Sequence, residues 1–236
     1  MTPIKTAPAL QQAILSTYIY DIIIAVAFVL AYFSQALKPI QDKNVALDKK
    51  KQIIAALNIR DVNDNQVEEY YNKLVEADEI INEKNEVLSA GKPGGENDGF
   101  KLNGGDFKAG KLALFVCNVD GQKKYVMPVY GMGLWGPIWG YIALNEDFQT
   151  IRGAYFDHAS ETPGLGAKIK DDPSFRAEFE GKKIDFEDEE AFRVVKGGAP
   201  AGKENAVDAI SGASITSHAL GVSIDNWLQA YKPFLK

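Results

Sequence analysis

A long apolar run near the N-terminus constrains this chain more than any other feature. Residues 13–37 are apolar almost throughout, and Asp21 carries the only charge among them. At the α-helical rise of about 1.5 Å per residue the run covers roughly 35 Å, which is enough to cross a bilayer. Aromatic side chains of the kind found at membrane–water interfaces lie near its two ends, at Tyr18, Tyr20, Tyr32 and Phe33. We therefore predict an uncleaved N-terminal transmembrane anchor over residues 1–38, ending at Lys38-Pro39.

The anchor leaves several questions open. A carboxylate at membrane depth is costly and usually faces protein or water, so Asp21 either meets partner helices or an ion path, or lies near the interface. A buried core helix of a soluble protein is the alternative to a membrane span. More lysines follow the run than precede it, which would keep the following domain in the cytoplasm by the positive-inside tendency. Those that follow are Lys38, Lys43, Lys49, Lys50 and Lys51.

The composition argues against several kinds of site. The formal net charge is −6 and no basic stripe interleaves with aromatic residues, so we expect no nucleic-acid binding. Cys117 is the only cysteine, which excludes an intrachain disulfide and a cysteine cluster for metal. His158 and His218 are the only histidines, so we expect no imidazole-rich metal site.

The remaining sequence predicts an α+β fold, with a mainly antiparallel sheet flanked by helices. Strands are expected at residues 112–119, 124–129, 139–144, 150–156 and 192–196. The first four form two β-hairpins, because Asp120-Gly121 and residues 145–147 supply turns between them. Pro128 lacks an N–H donor, so it indicates an edge position or a bulge in its strand.

Helix signals and glycine content suggest how the chain is divided. Helices are expected at residues 47–57, 65–75 and 173–180, with Asn65 and Glu68 capping the second and Asp172 capping the third. Residues 91–110 are rich in glycine and predict a long exposed loop. Its GxxxxGK string at residues 105–111 precedes a β-prone run, so we reject a phosphate-binding loop there. The predicted divisions are an anchor (1–38), a juxtamembrane helical segment (39–90) and a cofactor-binding domain (91–236).

A cluster of hydroxyl and carboxylate side chains at residues 208–217 precedes the last amphipathic run. Thr216 therefore lies at, or just before, the first turn of a helix, where unpaired N–H groups and the helix dipole favour an anion. Gly212 and Ala213 would let a large ligand approach the backbone closely. From the residues alone, both an ordinary Ser/Thr helix cap and a phosphate site remain open. The apolar residues that share one face of this helix are Leu220, Ile224, Trp227, Leu228 and Tyr231.

A resemblance to the FMN-binding domain family rests on the motif Asp208-x-x-Ser211-Gly212-Ala213-Ser214-x-Thr216. The motif resembles that family's flavinylation site, where a dedicated flavin transferase links FMN to the last threonine by a phosphoester. The resemblance implies covalent FMN at Thr216, with the other motif residues around the cofactor. Ser214 stands where the family more commonly has threonine, and the hydroxyl is kept.

A second resemblance covers most of the remaining chain. The LKPxQxxN run (37–44), the GLWGP string (133–137) and the ETPGLG string (161–166) are similar to the NqrC family, which belongs to the Na+-translocating NADH:quinone oxidoreductase. It implies an electron-relaying flavoprotein of the bacterial inner membrane, with its domain on the periplasmic side and with the other subunits and membrane lipid as partners. The contacts it implies are Trp135 near the cofactor, Glu161 and Thr162 hydrogen-bonded to the ring or ribityl chain, Gly164 allowing close approach, Leu165 on the isoalloxazine face, and Lys196 near the flavin.

Other functions fit parts of the same residues. The corresponding flavin-carrying protein of the related Rnf electron-transport complex shares the flavinylation motif. A serine hydrolase would use Ser214 with His218 or His158, since residues 212–216 partly match a nucleophile elbow. His158 and Glu161 could also form an acid/base pair. A membrane-anchored assembly module without redox chemistry is the remaining alternative.

Overall fold

The computed structural model of the chain describes residues 7–95, 99, 102 and 104–236. The chain divides into two compact units, the first ending at Ala46 and the second running from Leu47 to Lys236. The predicted division at residue 38 differs from this boundary, because the first helix does not end there.

The first helix, α1, spans Ala7–Ala56 and continues through Pro39. The prediction that it ends at Lys38-Pro39 is therefore wrong. The side chains of residues 16–45 are exposed, and Ser16–Ala56 is long and apolar enough, by length and composition, to cross a membrane. The end of α1 belongs to the second unit, where Ile53 and Ile54 are buried. Such tertiary burial stabilises a helix beyond a residue that cannot donate a hydrogen bond.

Six antiparallel strands form the centre of the second unit. They are β1 (Val75–Asn82), β2 (Val87–Ser89), β3 (Lys111–Val119), β4 (Gln122–Met132), β5 (Pro137–Leu144) and β6 (Ile151–His158), arranged in the order β2-β1-β3-β4-β5-β6. Asp120 and Gly121 both have positive φ in the turn between β3 and β4, as a tight hairpin requires. Both predicted hairpins are confirmed. The predicted fold class is confirmed as well.

The first two strands were not predicted, and they move the domain boundary. β1 pairs with β3 over nearly its whole length, for example Ile80 with Ala113. Residues 75–89 therefore belong to the central sheet, whereas the sequence had placed them in a helical segment.

The glycine-rich stretch at residues 91–110 is more ordered than an exposed loop. It contains α3 (Gly104–Lys108), and Gly95 and Gly99 are buried. The buried carboxylate of Asp78 accepts a hydrogen bond from the N–H of Gly99 at 3.1 Å, which draws the stretch onto the sheet. Residues 96–98, 100, 101 and 103 lie outside the described residues. β3 begins at Lys111, so the β-prone run predicted after the GxxxxGK string is confirmed as a strand.

Further helices and a small second sheet complete the unit. The helices are α2 (Val67–Leu74), α4 (Lys168–Asp171), α5 (Pro173–Ala177) and α6 (Ser214–Leu235), and the parallel strands are β7 (Arg193–Val195) and β8 (Ala206–Asp208). Asp172 caps α5 as predicted, since its side chain accepts a hydrogen bond from Ser174 N. The predicted cap of α2 is wrong, because Gln66 holds that position without a side-chain hydrogen bond.

The central sheet has a hydrophobic core on each face. Alternation along β3 places Leu112 and Leu114 in one core, and Ala113, Phe115 and Cys117 in the other. The first core lies against α6, and its members there are Leu220, Ile224, Leu228 and Tyr231, as the helical pattern predicted. The second lies against the end of α1 and against α2, through Ile53, Ile54, Leu57, Val67 and Tyr71. The sheet thereby fixes α6, whose first turn carries Ser214 and Thr216, the last residues of the motif at 208–216.

At Pro128, β4 is paired with a neighbouring strand on one side only. It pairs with Tyr141 of β5, whereas the register between β3 and β4 stops at Phe115 and Val126. β4 is an interior strand of the sheet, yet it is locally an edge at the proline. This placement agrees with the predicted edge position.

Tyr231→Phe should lower the free energy of unfolding by about 1–3 kcal/mol. The buried Tyr231 hydroxyl donates to Ala113 O at 2.6 Å, and its removal leaves a buried carbonyl without that donor. The same change at the exposed Tyr70 on α2 is the control, and it should alter stability by about 0.5 kcal/mol or less. Urea denaturation of the detergent-solubilised chain measures both, and equal losses would contradict this role for Tyr231.

Candidate functional site

A hydrogen bond between Thr216 and Glu161 lies at the centre of the candidate site. The Thr216 hydroxyl donates to Glu161 Oε2 at 2.7 Å, and the backbone N–H of Trp135 donates to Glu161 Oε1 at 3.0 Å. Glu161 is only 5% exposed and Thr216 only 2%. Burying a carboxylate is unfavourable unless donors satisfy it. The two contacts therefore tie the turn after β4 and the start of α6 to one acid.

Strand register brings Glu161 to this position. Ile138, near the start of β5, pairs with His158 at the end of β6, so the segment after β6 lies beside the turn between β4 and β5. The backbone N–H of Glu161 donates to His158 Nδ1 at 3.1 Å, and Ser160 Oγ donates to Trp135 O at 2.8 Å. These contacts fix the backbone that leads into Glu161 and hold it to the turn at Trp135.

Two glycines leave room for the carboxylate. A Cβ atom at Gly133 would lie 2.4 Å from Glu161 Oε1. One at Gly166 would lie 2.2 Å from Glu161 Oε2 and 2.8 Å from Thr216 Oγ1. Both glycines belong to the strings that carry the family resemblance, but the sequence did not single them out. Any larger residue at either position would displace the acid.

The first turn of α6 lacks a side-chain cap. Its N-cap residue is Ala213, and no side-chain hydrogen bond closes the N-terminus. The Ser/Thr-cap interpretation of this motif is therefore wrong. Ser217, the last residue of the cluster at 208–217, is fully buried, and its Oγ accepts a hydrogen bond from Ile210 N at 3.0 Å. This contact holds the turn at residues 210–213 against the helix.

The ETPGLG turn lies against this helix start. The N–H groups of Leu165 and Ala167 both donate to Thr162 O at 3.1 Å, and Gly164 has a φ of 74°. A Cβ at Gly212 would lie 3.1 Å from Leu165 Cδ2, so the leucine side chain reaches the motif at residues 208–216. The structure thus brings the turn and the motif together, as the resemblance implied.

The other predicted site residues lie further from the Glu161–Thr216 pair or expose their side chains. Asp208 Oδ1 accepts a hydrogen bond from Ala199 N at 2.6 Å, which holds the loop after β7. Lys196 is exposed directly after β7, whose last residue Val195 pairs with Asp208. Ser211 and Thr162 are exposed, Gly212 is exposed with a φ of 82°, and Ser214 is half-buried as the first residue of α6.

Exposed apolar side chains surround the buried pair. Trp135 is 65% exposed, Ile215 62%, Leu134 46% and Leu165 44%. They lie on the same three segments that meet at Glu161: the turn between β4 and β5, the ETPGLG turn and the start of α6. An apolar group with one polar, anionic end would cover these side chains and meet the uncapped helix.

The geometry does not support the hydrolytic alternatives. Among the described residues, no hydrogen bond joins Ser214 to His158 or His218. His158 contacts Glu161 through the backbone N–H of the glutamate, while the carboxylate faces Trp135 and Thr216. The proposed acid/base pair is therefore not formed. In the described part of the chain, no group of three or more His, Cys, Asp or Glu side chains is placed to hold a metal ion.

Comparison with known proteins defines the class first. Residues 133–229 match the FMN-binding domain family, and they contain Glu161, Thr216 and the exposed apolar side chains around them. The protein therefore carries an FMN-binding domain. The residues present fit this cofactor, since an uncapped helix start suits its phosphate and the exposed Trp135 and Leu165 suit its planar ring.

Similar proteins then define the family. NqrC of the Na(+)-translocating NADH-quinone reductase from Vibrio parahaemolyticus is 33% identical over 218 residues, with 83% of each chain covered. The crystal structure of NqrC from Parabacteroides distasonis is 40% identical and superimposes with a TM-score of 0.76, covering 85% of this chain and 97% of that one. The Vibrio vulnificus NqrC is 41% identical over 127 residues, 52% of this chain, and the match spans about half of that relative, 49%. The chain belongs to the NqrC family of the Na(+)-translocating NADH-quinone reductases.

Thr216→Val should destabilise the unmodified chain by about 1–3 kcal/mol. Valine has nearly the same shape as threonine but cannot donate a hydrogen bond, so the buried Glu161 carboxylate loses one of its hydrogen-bond donors. Thr216→Ser keeps the hydroxyl and removes one methyl group, so it should lose about 1 kcal/mol or less. Thermal and urea denaturation of chains produced without a flavin transferase measure both. A valine variant as stable as wild type would contradict the contact with Glu161.

Proposed function

We propose that this protein is the FMN-carrying electron-transfer subunit of a sodium-translocating NADH:quinone oxidoreductase, with FMN joined to Thr216 Oγ by a phosphoester. One observation carries the proposal: a buried hydroxyl in the first turn of an uncapped helix lies amid exposed apolar side chains within an FMN-binding domain. The names of its relatives support NqrC over the corresponding protein of the Rnf complex.

The start of α6 would hold the phosphate end of FMN. Its first N–H groups have no side-chain cap, and the helix dipole favours an anion there. Ser211 and Ser214 flank this turn with further hydroxyls, and Gly212 lets the cofactor approach the backbone. Asp208 supports the motif indirectly, because it holds the neighbouring loop through Ala199.

The turns that meet α6 would hold the ring. Trp135 and Leu165 offer exposed apolar surfaces for the isoalloxazine, and Gly164 leaves the outer side of its turn open because nothing lies within 4 Å of an added Cβ. The exposed Thr162 hydroxyl and the carboxylate of Glu161 supply polar contacts for the ring or ribityl chain. Lys196, exposed after β7, would place a positive charge near the flavin.

Flavin accepts and donates electrons singly or in pairs, so the cofactor supplies the redox chemistry. The chain's part is to bind, orient and retain it. Covalent attachment lets the protein hold FMN in an open site, where an exposed edge permits electron exchange with neighbouring subunits. The relay itself requires no general acid or nucleophile from this chain.

The N-terminal helix would anchor the domain beside the other subunits in the bacterial inner membrane, with lipid around residues 16–45. We place the domain on the periplasmic side, where the flavin transferase of the resembling family works. The lysines that follow the apolar run oppose this orientation. Large domains translocate largely regardless of such a bias, so the charge pattern does not decide the side.

Thr216→Ala should abolish covalent flavin when the chain is produced together with the flavin transferase. The substitution removes the oxygen that would form the ester, while Ser214→Ala in the same turn leaves it in place. Intact-protein mass spectrometry should show the FMN adduct in wild type and Ser214→Ala, and the bare polypeptide in Thr216→Ala. An adduct on the Thr216→Ala chain would refute the attachment site.

Leu165→Ala should shift the absorption spectrum or the reduction potential of the bound flavin. The substitution removes an apolar side chain from the proposed ring-contacting turn and admits water there. Val222→Ala, at a partly exposed position further along α6, is the control and should change neither. Spectroelectrochemistry of the flavinylated chain measures both. An unchanged spectrum and potential in Leu165→Ala would place the ETPGLG turn away from the ring.

A further inference from the structure

We propose that Glu161 is the catalytic base for cofactor attachment, taking the proton from Thr216 Oγ as that oxygen bonds to the flavin phosphate. The inference rests on the proposed attachment at Thr216. It assigns to this chain a chemical part in its own modification, in addition to presenting a hydroxyl to the transferase.

A threonine hydroxyl is a weak nucleophile at neutral pH and needs a base within hydrogen-bond reach. Glu161 Oε2 lies 2.7 Å from Thr216 Oγ1, and the hydroxyl donates to it. The proton that must leave therefore already points at a carboxylate. His158 is engaged by the backbone N–H of Glu161, and His218 is exposed on α6. Glu161 is thus the side chain placed for proton transfer.

The surroundings hold this carboxylate in one position. Trp135 N donates to its other oxygen at 3.0 Å, and the two oxygens occupy the space that a Cβ atom at Gly133 or Gly166 would fill. Glu161 is only 5% exposed, so bulk water offers little competition for the Thr216 proton. A base fixed in this way loses little freedom at the moment of reaction.

The turn at residues 163–165, next to Gly166 and Gly212, can move while Glu161 stays in place. Pro163, Gly164 and Leu165 are exposed. The backbone bonds that hold their turn are those of Leu165 N and Ala167 N to Thr162 O and that of Lys168 N to Leu165 O, each at 3.1 Å. Glu161 precedes this turn and is held separately, through His158 and Trp135. A flavin phosphate can therefore reach the hydroxyl after the turn moves, without losing the base.

The step balances with a flavin phosphoanhydride, such as a flavin dinucleotide, as the donor. A bond forms between Thr216 Oγ and the phosphorus of the FMN half, and the phosphoanhydride P–O bond breaks. The electron pair of that bond leaves with the nucleoside monophosphate. The hydroxyl proton passes to Glu161 Oε2, and nothing is oxidised or reduced.

Glu161→Gln tests the base without removing the side chain. The glutamine carbonyl can accept from Trp135 N, and its amide can donate to Thr216 Oγ, so shape and contacts are kept while the proton acceptor is lost. The full chain in detergent is incubated with purified flavin transferase and a flavin dinucleotide, and intact mass follows the adduct over time. We expect kcat for attachment to fall about a hundredfold or more, as for loss of a general base. The KM for the chain should change by less than about threefold, because the docking surface is intact.

His218→Gln is the control, since it removes the other titratable side chain near the start of α6, and its kcat should match wild type. Attachment to Glu161→Gln at the wild-type kcat would overturn the inference and assign the base to the transferase. If wild type itself gains no flavin mass, the proposed function fails instead. Should Glu161→Gln not fold, Glu161→Ala supplied with formate decides: faster attachment in formate than in equal chloride supports the base, and equal rates overturn it.

Discussion

A buried carboxylate must find hydrogen-bond donors within the protein, and the way Glu161 finds them shapes the whole site. One donor is the backbone of Trp135, in the turn that joins two sheet strands. The other is the hydroxyl of Thr216, which is 55 positions further along the chain on the last helix. Because the sheet fixes the first donor and the core beneath α6 fixes the second, the acid joins two otherwise separate parts of the domain. The exposed apolar side chains are gathered around it by the same contacts.

Local sequence patterns predicted those parts of the fold that local forces decide. The two hairpins follow from their turns, Asp172 caps its helix, and the apolar stripe of α6 faces the sheet. β1 was not predicted because its buried positions do not alternate strictly. It forms a strand because it pairs with β3, which is distant in the sequence. The helix continues past Pro39 for a similar reason. Residues such as Ile53 are buried by tertiary packing, which a single-residue signal cannot anticipate.

The site was predictable in its position but not in its central contact. The spacing placed Thr216 at, or just before, the first turn of the last helix, and the resemblance implied that Glu161 and Leu165 lie near the flavin. The hydrogen bond between Glu161 and Thr216 could not be predicted, because it depends on how β6 and α6 are brought together. The contact of the buried Ser217 with Ile210 N could not be predicted either, because it depends on how the turn at 210–213 folds onto α6. Gly133 and Gly166 could have been predicted as part of the site, since a residue without a side chain lets an acid approach the backbone closely.

The short distance between Glu161 and Thr216 has a consequence for the proposed ester at Thr216. Two oxygens 2.7 Å apart are held together by a single shared hydrogen. In an ester, the threonine oxygen has no hydrogen, so lone pairs would face each other across that gap. The contact then survives only if the acid becomes the donor, which would cancel its charge as the new phosphodiester brings one. The site would thus exchange one negative charge for another, and its net charge would be the same before and after attachment.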